Sequence, residues 1–261
     1  MTRRLTRRRA LRAGAAGLAG LLSGCVTVVR ESAPEPVGGG EPPTRERTTF
    51  EGDHRFPEDV REQAQATGTT VQESVVLVRE AGGHTGGTGW VLDDGRVVTN
   101  AHVVAGATEF TLETFDGETA SATREGYHED LRPDVGLLST DLSDVPALST
   151  GSSSTLDEGD PVVQVGHPAT VGQWVISLGR FVRREPRLDW LLSDVPTRRG
   201  NSGSPLVTLD GAVVGVTSGS TQLGANQTVS RPTTVYESFP ESSALTASVP
   251  VETVDESVAR W

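Results

Sequence analysis

The chain has 261 residues and no lysine; all 23 of its basic residues are arginine. That absence excludes several chemistries. A P-loop needs its Lys on the β- and γ-phosphates, and a protein kinase needs its strand Lys. Ser-Lys hydrolases and Schiff-base enzymes need an amine that is missing here. Cysteine is almost as scarce. One Cys can form no internal disulfide, so the fold must hold by packing alone. Positive charge is outnumbered, with 23 basic against 35 acidic side chains and a net charge of −12. That balance argues against nucleic acid, where cations must neutralise phosphates. The Ala/Gly/Leu run from Ala13 to Ser23 is about half of the ~20 residues a spanning helix requires. With 35% hydrophobic residues, the chain can build one large domain or two small ones.

Arg3, Arg4, Arg7, Arg8, Arg9 and Arg12 precede that short apolar run, and no acidic residue interrupts them. The arrangement resembles a signal peptide of the twin-arginine type, with Arg7-Arg8 or Arg8-Arg9 as the pair. It ends in Leu22-Ser23-Gly24-Cys25, which resembles a lipobox, where cleavage leaves a lipid-bearing Cys at the new N-terminus. The expectation is a signal peptide over residues 1–24 and lipidation of Cys25. The protein would then be anchored by lipid outside the cytoplasmic membrane. Removing residues 1–24 takes away six Arg and no acid, leaving a net charge of −18. Such acidity, with Arg in place of Lys, resembles proteins of halophilic archaea, where high salt screens self-repulsion.

Residues 25–56 are rich in Pro, Gly, Glu and Thr and keep no apolar periodicity, which predicts a disordered linker before a domain at 57–261. A short helix is expected at Pro57 to Ala66, with Glu58 and Asp59 favouring its dipole. Thereafter the pattern is β. Val-rich runs at 74–78, 89–92, 96–99, 109–115, 135–139, 161–166, 173–182, 205–208 and 212–218 are punctuated by Gly, Asp and Ser. No helical pattern separates them, so an all-β sandwich or barrel is expected, closed by a helix near the C-terminus.

Three segments carry chemistry. Thr99-Asn100-Ala101-His102-Val103-Val104 sets a His just after a strand. Pro133-Asp134-Val135-Gly136-Leu137-Leu138 sets an Asp at the head of one, and Gly200-Asn201-Ser202-Gly203-Ser204-Pro205 sets a Ser in a turn of small residues. A Ser hydroxyl becomes nucleophilic when a neutral His takes its proton. A buried carboxylate on the other ring nitrogen fixes the tautomer and stabilises the imidazolium. Glycines around Ser202 let the backbone N–H groups of Gly200 and Ser202 face a developing oxyanion. Alone, His102 reads as a packing residue, Asp134 as a strand cap and the Ser turn as a hairpin. Their conjunction in the order His, Asp, Ser points to a catalytic triad.

On these motifs the chain resembles trypsin-like serine proteases, and among them the high-temperature-requirement (HtrA/Deg) type. The resemblance runs over about residues 70–261 and takes in Gly87-Thr88-Gly89-Trp90, the segment 145–168 with His167 where Asn is common, and 192–207 with Ser204 for the more usual Gly. It implies two antiparallel six-stranded β-barrels with a C-terminal helix: barrel 1 at about 70–145, barrel 2 at about 155–250 and the helix at 251–261. His102, Asp134 and Ser202 would be catalytic, with Gly200 and Ser202 forming the oxyanion hole. Protein or peptide substrates follow, and members of this type often trimerise.

Asn201 stands where digestive members carry an Asp that captures a new N-terminus, so that activation route is closed. Pro196 stands where trypsin has its selecting Asp, which argues against a Lys/Arg preference. The pocket is expected from Pro196, Thr197, Arg199, Val216, Thr217 and Ser218, with a small or aliphatic P1 residue. Arg198 and Arg199 leave an acidic P1 open. No His, Cys or acidic set has metal-ligand spacing, so neither metal nor cofactor is expected. An α/β-hydrolase fails on the missing second Gly of G-x-S-x-G and on triad order. The alternative is a protease-fold lipoprotein that binds peptides or partner proteins with little or no catalysis.

Overall fold

A computed structural model of the chain describes residues 55–83, 85–169, 171–221, 235–237 and 244–261. The expected signal peptide, Cys25 and all but the last two residues of the expected linker lie outside the described residues.

Twelve strands are formed among the described residues: β1 (Val75–Glu80), β2 (Thr85–Val91), β3 (Val97–Thr99), β4 (Glu109–Glu113), β5 (Thr119–Tyr127), β6 (Gly136–Thr140), β7 (Pro161–Gly166), β8 (Val175–Glu185), β9 (Trp190–Ser193), β10 (Pro205–Thr208), β11 (Val213–Ser220) and β12 (Thr246–Pro250). They close into two antiparallel barrels, β1-β2-β3-β6-β5-β4 and β10-β11-β12-β9-β8-β7. The helices are α1 (Glu58–Gln72), the single turn α2 (Ala101–Val104) and α3 (Val251–Val258). None of the described helices is long and apolar enough to cross a membrane.

The runs in β1, β3, β7 and β10 are buried on both faces, which explains why they read as continuous, whereas β4 alternates buried and exposed residues. In β1, Val76 and Val78 fill barrel 1 with Val97, Phe110, Leu112 and Leu138. Val75 and Leu77 face the other way, into a core shared with Trp90, Val163, Val165 and Trp174. That shared core joins the barrels and sets the cleft between them.

The terminal helices strap the barrels together. Helix α1 precedes barrel 1 in the chain yet lies on β7 and β8 of barrel 2. Its buried positions are Ala64, Gly68 and Val71, and a Cβ on Gly68 would meet Ile176 at 2.5 Å. The helix runs to Gln72, beyond the expected end at Ala66, because Val71 continues the apolar stripe and Gln72 Nε2 donates to the Trp174 carbonyl at 2.5 Å. Helix α3 leaves barrel 2, and the chain beyond it ends on barrel 1. Trp261 lies on Gly126, where a Cβ would come within 2.2 Å of the indole, and a hydrogen bond of 2.9 Å joins His128 Nε2 and Ser257 Oγ. Ahead of α1, Phe56 is buried in the shared core, and the Arg55 guanidinium pairs with Asp194 at 3.0 Å. These two residues, placed by the sequence in the linker, are therefore packed on the folded unit.

Candidate active site

His102 lies in α2, three residues past the end of β3, and Asp134 lies two residues before β6. These strands pair with Thr99 opposite Gly136, so their register brings the two side chains together. Gly136 permits the approach: a Cβ there would stand 2.7 Å from Val104 and 3.0 Å from the Asn100 carbonyl. His102 Nδ1 and Asp134 Oδ2 are 2.7 Å apart, and the His102 backbone N–H donates to Oδ1 at 3.0 Å. With Nδ1–H committed to the carboxylate, Nε2 of the neutral ring is a bare acceptor, as a general base requires. Oδ2 also accepts the hydroxyl of Ser218, and Asn100 Nδ2 donates to the Asp134 carbonyl at 2.8 Å.

The Asp134 side chain is only 8% exposed, against 38% for His102. Burial pushes the Asp134 carboxyl up. The hydrogen bond and charge of His102 and the Ser218 hydroxyl outweigh that cost and hold it below its ordinary value. The group is therefore a carboxylate throughout the neutral range.

Ser202 lies in the turn before β10, whose shape depends on two glycines. Gly200 has φ +96°, and a Cβ there would fall 2.1 Å from the His167 carbonyl oxygen; Gly203 has φ +89°, and a Cβ would fall 1.9 Å from that of Thr88. Both positive φ and backbone contact demand glycine. Asn201 is buried, and its Nδ2 donates to Thr197 Oγ1 at 3.2 Å. Ser202 Oγ donates to the Ser218 carbonyl at 3.3 Å, and no hydrogen bond joins it to His102. The structure thus brings His102 and Asp134 into contact and leaves the Ser202–His102 link unformed. Catalytic hydrogen bonds are commonly long or misaligned before substrate binds.

The expected pocket residues divide. Pro196 is buried, Thr197 and Ser218 are half-buried and bound to Asn201 and Asp134, and Arg199 is exposed. Val216 and Thr217 have no exposed surface, so they do not line an open pocket. Val216 packs in the shared core, and Thr217 Oγ1 donates to Gln164 Oε1 at 2.7 Å. His167, which stands where Asn is common, is buried edge-on to Trp174 with ring centroids 4.5 Å apart. Sequence reading missed the roles of Asn100 and Ser218 around Asp134; Asn100 lies within the His motif, and Ser218 carries no sequence signal for its bond. Among the described residues, no group of three His, Cys, Asp or Glu is placed to hold a metal ion.

Two antiparallel six-stranded barrels with a His–Asp pair and a Ser turn at their junction make up the trypsin-like serine-protease fold. Residues 87–216 match the model of the trypsin-like peptidase domain. Within that fold the similarity runs to HtrA-type endoproteases. The probable periplasmic DegP-like serine endoprotease of Pseudomonas fluorescens is 39% identical over 138 residues, 51% of this chain and 29% of that protein. The chain thus spans less than a third of the length of the curated relatives it matches there. Among solved structures, the serine endoprotease from Yersinia pestis superposes with TM-score 0.62 at 22% identity, covering 79% of this chain and 67% of the other. The HtrA-type protease AlgW with tripeptide gives TM-score 0.59 at 23% identity, covering 74% and 61%.

Proposed function

We propose that the chain is a serine endopeptidase that hydrolyses peptide bonds in proteins outside the cytoplasmic membrane. The observation that carries this reading is the bonded His102–Asp134 pair beside a glycine-flanked Ser202. In the reaction, His102 Nε2 takes the Ser202 hydroxyl proton as Oγ attacks the scissile carbonyl carbon. The carbonyl oxygen becomes an oxyanion facing the N–H groups of Gly200 and Ser202. Collapse expels the amine, which takes the proton from His102 and leaves an acyl-enzyme. Water, activated by the same imidazole, then attacks the ester and releases Ser202. Asp134 keeps the ring oriented and stabilises the imidazolium.

Ser204 at a position where Gly is more usual motivates the alternative reading, a peptide-binding protein with a distorted turn. The local packing favours the catalytic reading. Ser204 is fully buried, its N–H donates to the Asn201 carbonyl at 2.9 Å, and its hydroxyl occupies space opened by Gly166. The half-buried edge at Ser218–Ser220 and the uncharged wall at Pro196 fit a small or aliphatic P1 residue. The twin-arginine signal, lipid on Cys25, and adaptation to high salt belong to the same reading. The periplasmic naming of the relatives is consistent with export.

The test is labelling of the full chain by a fluorophosphonate probe in molar KCl, beside Ser202→Ala and His102→Ala. Labelling of the wild type that disappears in both variants is expected. A folded wild type that takes no label would favour the binding-protein reading.

A further inference from the structure

An oxyanion hole works only if its two N–H groups are aimed before the substrate arrives, so the backbone around them must have its other polar groups tied elsewhere. In this turn each carbonyl from 198 to 202 has a donor. The Arg198 carbonyl accepts from the Asn201 N–H at 3.0 Å, that of Arg199 from the Ala169 N–H at 2.7 Å, and that of Asn201 from the Ser204 N–H at 2.9 Å. The Gly203 N–H is committed to the Thr217 carbonyl at 2.8 Å. Among the described residues, the N–H groups of Gly200 and Ser202 donate to nothing. Because a trans peptide sets its N–H opposite its carbonyl, pinning the Arg199 carbonyl on Ala169 turns the Gly200 N–H away from that contact.

The two remaining carbonyls, those of Gly200 and Ser202, both end on one residue of the other barrel. Thr88 Oγ1 donates to the Gly200 carbonyl at 2.7 Å, and the Thr88 N–H donates to the Ser202 carbonyl at 2.8 Å. Thr88 is fully buried in β2, and its own carbonyl accepts the Thr99 hydroxyl at 2.7 Å. Thr99 ends β3, the strand that leads into His102. A continuous run of hydrogen bonds therefore joins the strand before the general base to the two residues that supply the oxyanion donors.

We infer that Thr88 is a positioning residue of this active site: its hydroxyl and N–H clamp the nucleophile turn from barrel 1 and hold the oxyanion hole open in the free protein. The inference rests on the serine-peptidase reading. It adds that the hole is preformed, and that its geometry is set by the barrel that does not carry it. The hydroxyl is the specific element, since the N–H would be offered by any residue on β2.

The experiment compares Thr88→Val, which keeps the shape and loses the hydroxyl, with Thr88→Ser, which restores it, in the full chain. Expected for Thr88→Val is a drop of about tenfold or more in kcat and in the rate of fluorophosphonate labelling of Ser202, with KM little changed. Thr88→Ser should recover most of both. Backbone hydrogen exchange at the amides of Asn201, Gly203 and Ser204 should quicken in Thr88→Val and return in Thr88→Ser. If Thr88→Val does not fold, Thr88→Ser against Thr88→Ala isolates the same hydroxyl. Labelling and exchange unchanged in the variant lacking the hydroxyl would overturn the clamp. So would a loss of kcat and KM together that Ser does not rescue. A wild type that never labels, while exchange at the turn still depends on the hydroxyl, would remove the peptidase reading and leave the clamp standing.

Discussion

Asp134 shows how much of a site a single buried charge can organise. An unpaired carboxylate at its depth would protonate or destabilise the fold. Here it accepts from the His102 ring, the His102 N–H and the Ser218 hydroxyl, and it is held ionised. Replacing it by Asn keeps the volume but offers His102 Nδ1 an amide that can donate, which selects the wrong tautomer. Asp134→Asn should lower turnover by up to about 10⁴-fold with little change in peptide affinity. Steady-state kinetics check it, and a near-wild-type rate would remove the role. The residues of this site were legible in sequence only where they form contiguous motifs. His102, Asp134 and Ser202 announce themselves by their neighbours. Ser218, expected only in the pocket, and Thr88, in the Gly87–Trp90 segment, do not show these bonds in sequence, because their partners, the Asp134 carboxylate and the Gly200 carbonyl, lie 84 and 112 positions away in the chain.

At the scale of elements, strands were legible where both faces are apolar. β7 and β10 coincide with their Val-rich runs, and β1, β8 and β11 differ from theirs only at the ends. β5 is invisible to such a search. It reads Thr-Ala-Ser-Ala-Thr-Arg-Glu-Gly-Tyr and buries only Ala122 and Gly126, so pairing with β4 and β6 makes it a strand despite its composition. β9 is too short to show a period, with four residues at 190–193. Helix α3 was legible, but what anchors it was not. Glu252 in its first turn accepts from Ser152 Oγ at 2.7 Å, Ser153 N–H at 2.8 Å and Ser153 Oγ at 2.6 Å, tying the helix to the segment between the barrels. Burial pushes this carboxyl up, and the Ser153 and Ser152 donors outweigh it, so it lies below its ordinary value. A lowered carboxyl stabilises the fold above its unfolded value, and that contribution fades as pH falls through the folded one. Glu252→Gln should cost about 1–2 kcal/mol at pH 7. The gap between variant and wild type should close below about pH 4. Urea unfolding at several pH values measures both, and a gap independent of pH would mean that charge is not what anchors the helix.

The charge of the whole molecule acts against all these local bonds. A net charge of −12 over the full sequence makes compaction work against its own field. Individual ion pairs do little to offset it. Arg55–Asp194, Arg96–Asp94 and Arg184–Asp189 lie at partly exposed sites where such pairs contribute about 0–1 kcal/mol each. The core is ordinary by contrast, with Trp90, Trp174 and the Val-rich strand faces buried as in any β-barrel protein. Stability should therefore be limited by unscreened repulsion rather than by packing. Screening shortens from about 10 Å at 0.1 M salt to about 3 Å at 1 M, less than the spacing between most surface charges. The melting temperature of the full chain should rise steeply between 0.1 M and 1 M KCl and then continue upward more gently, as salt strengthens apolar burial. Glu252→Gln and wild type should rise in parallel, because a partly buried bonded carboxylate is screened far less than the surface field. Equal melting temperatures at 0.1 M and 3 M KCl would show that the acidic surface is not what sets stability, and would remove the case for adaptation to high salt.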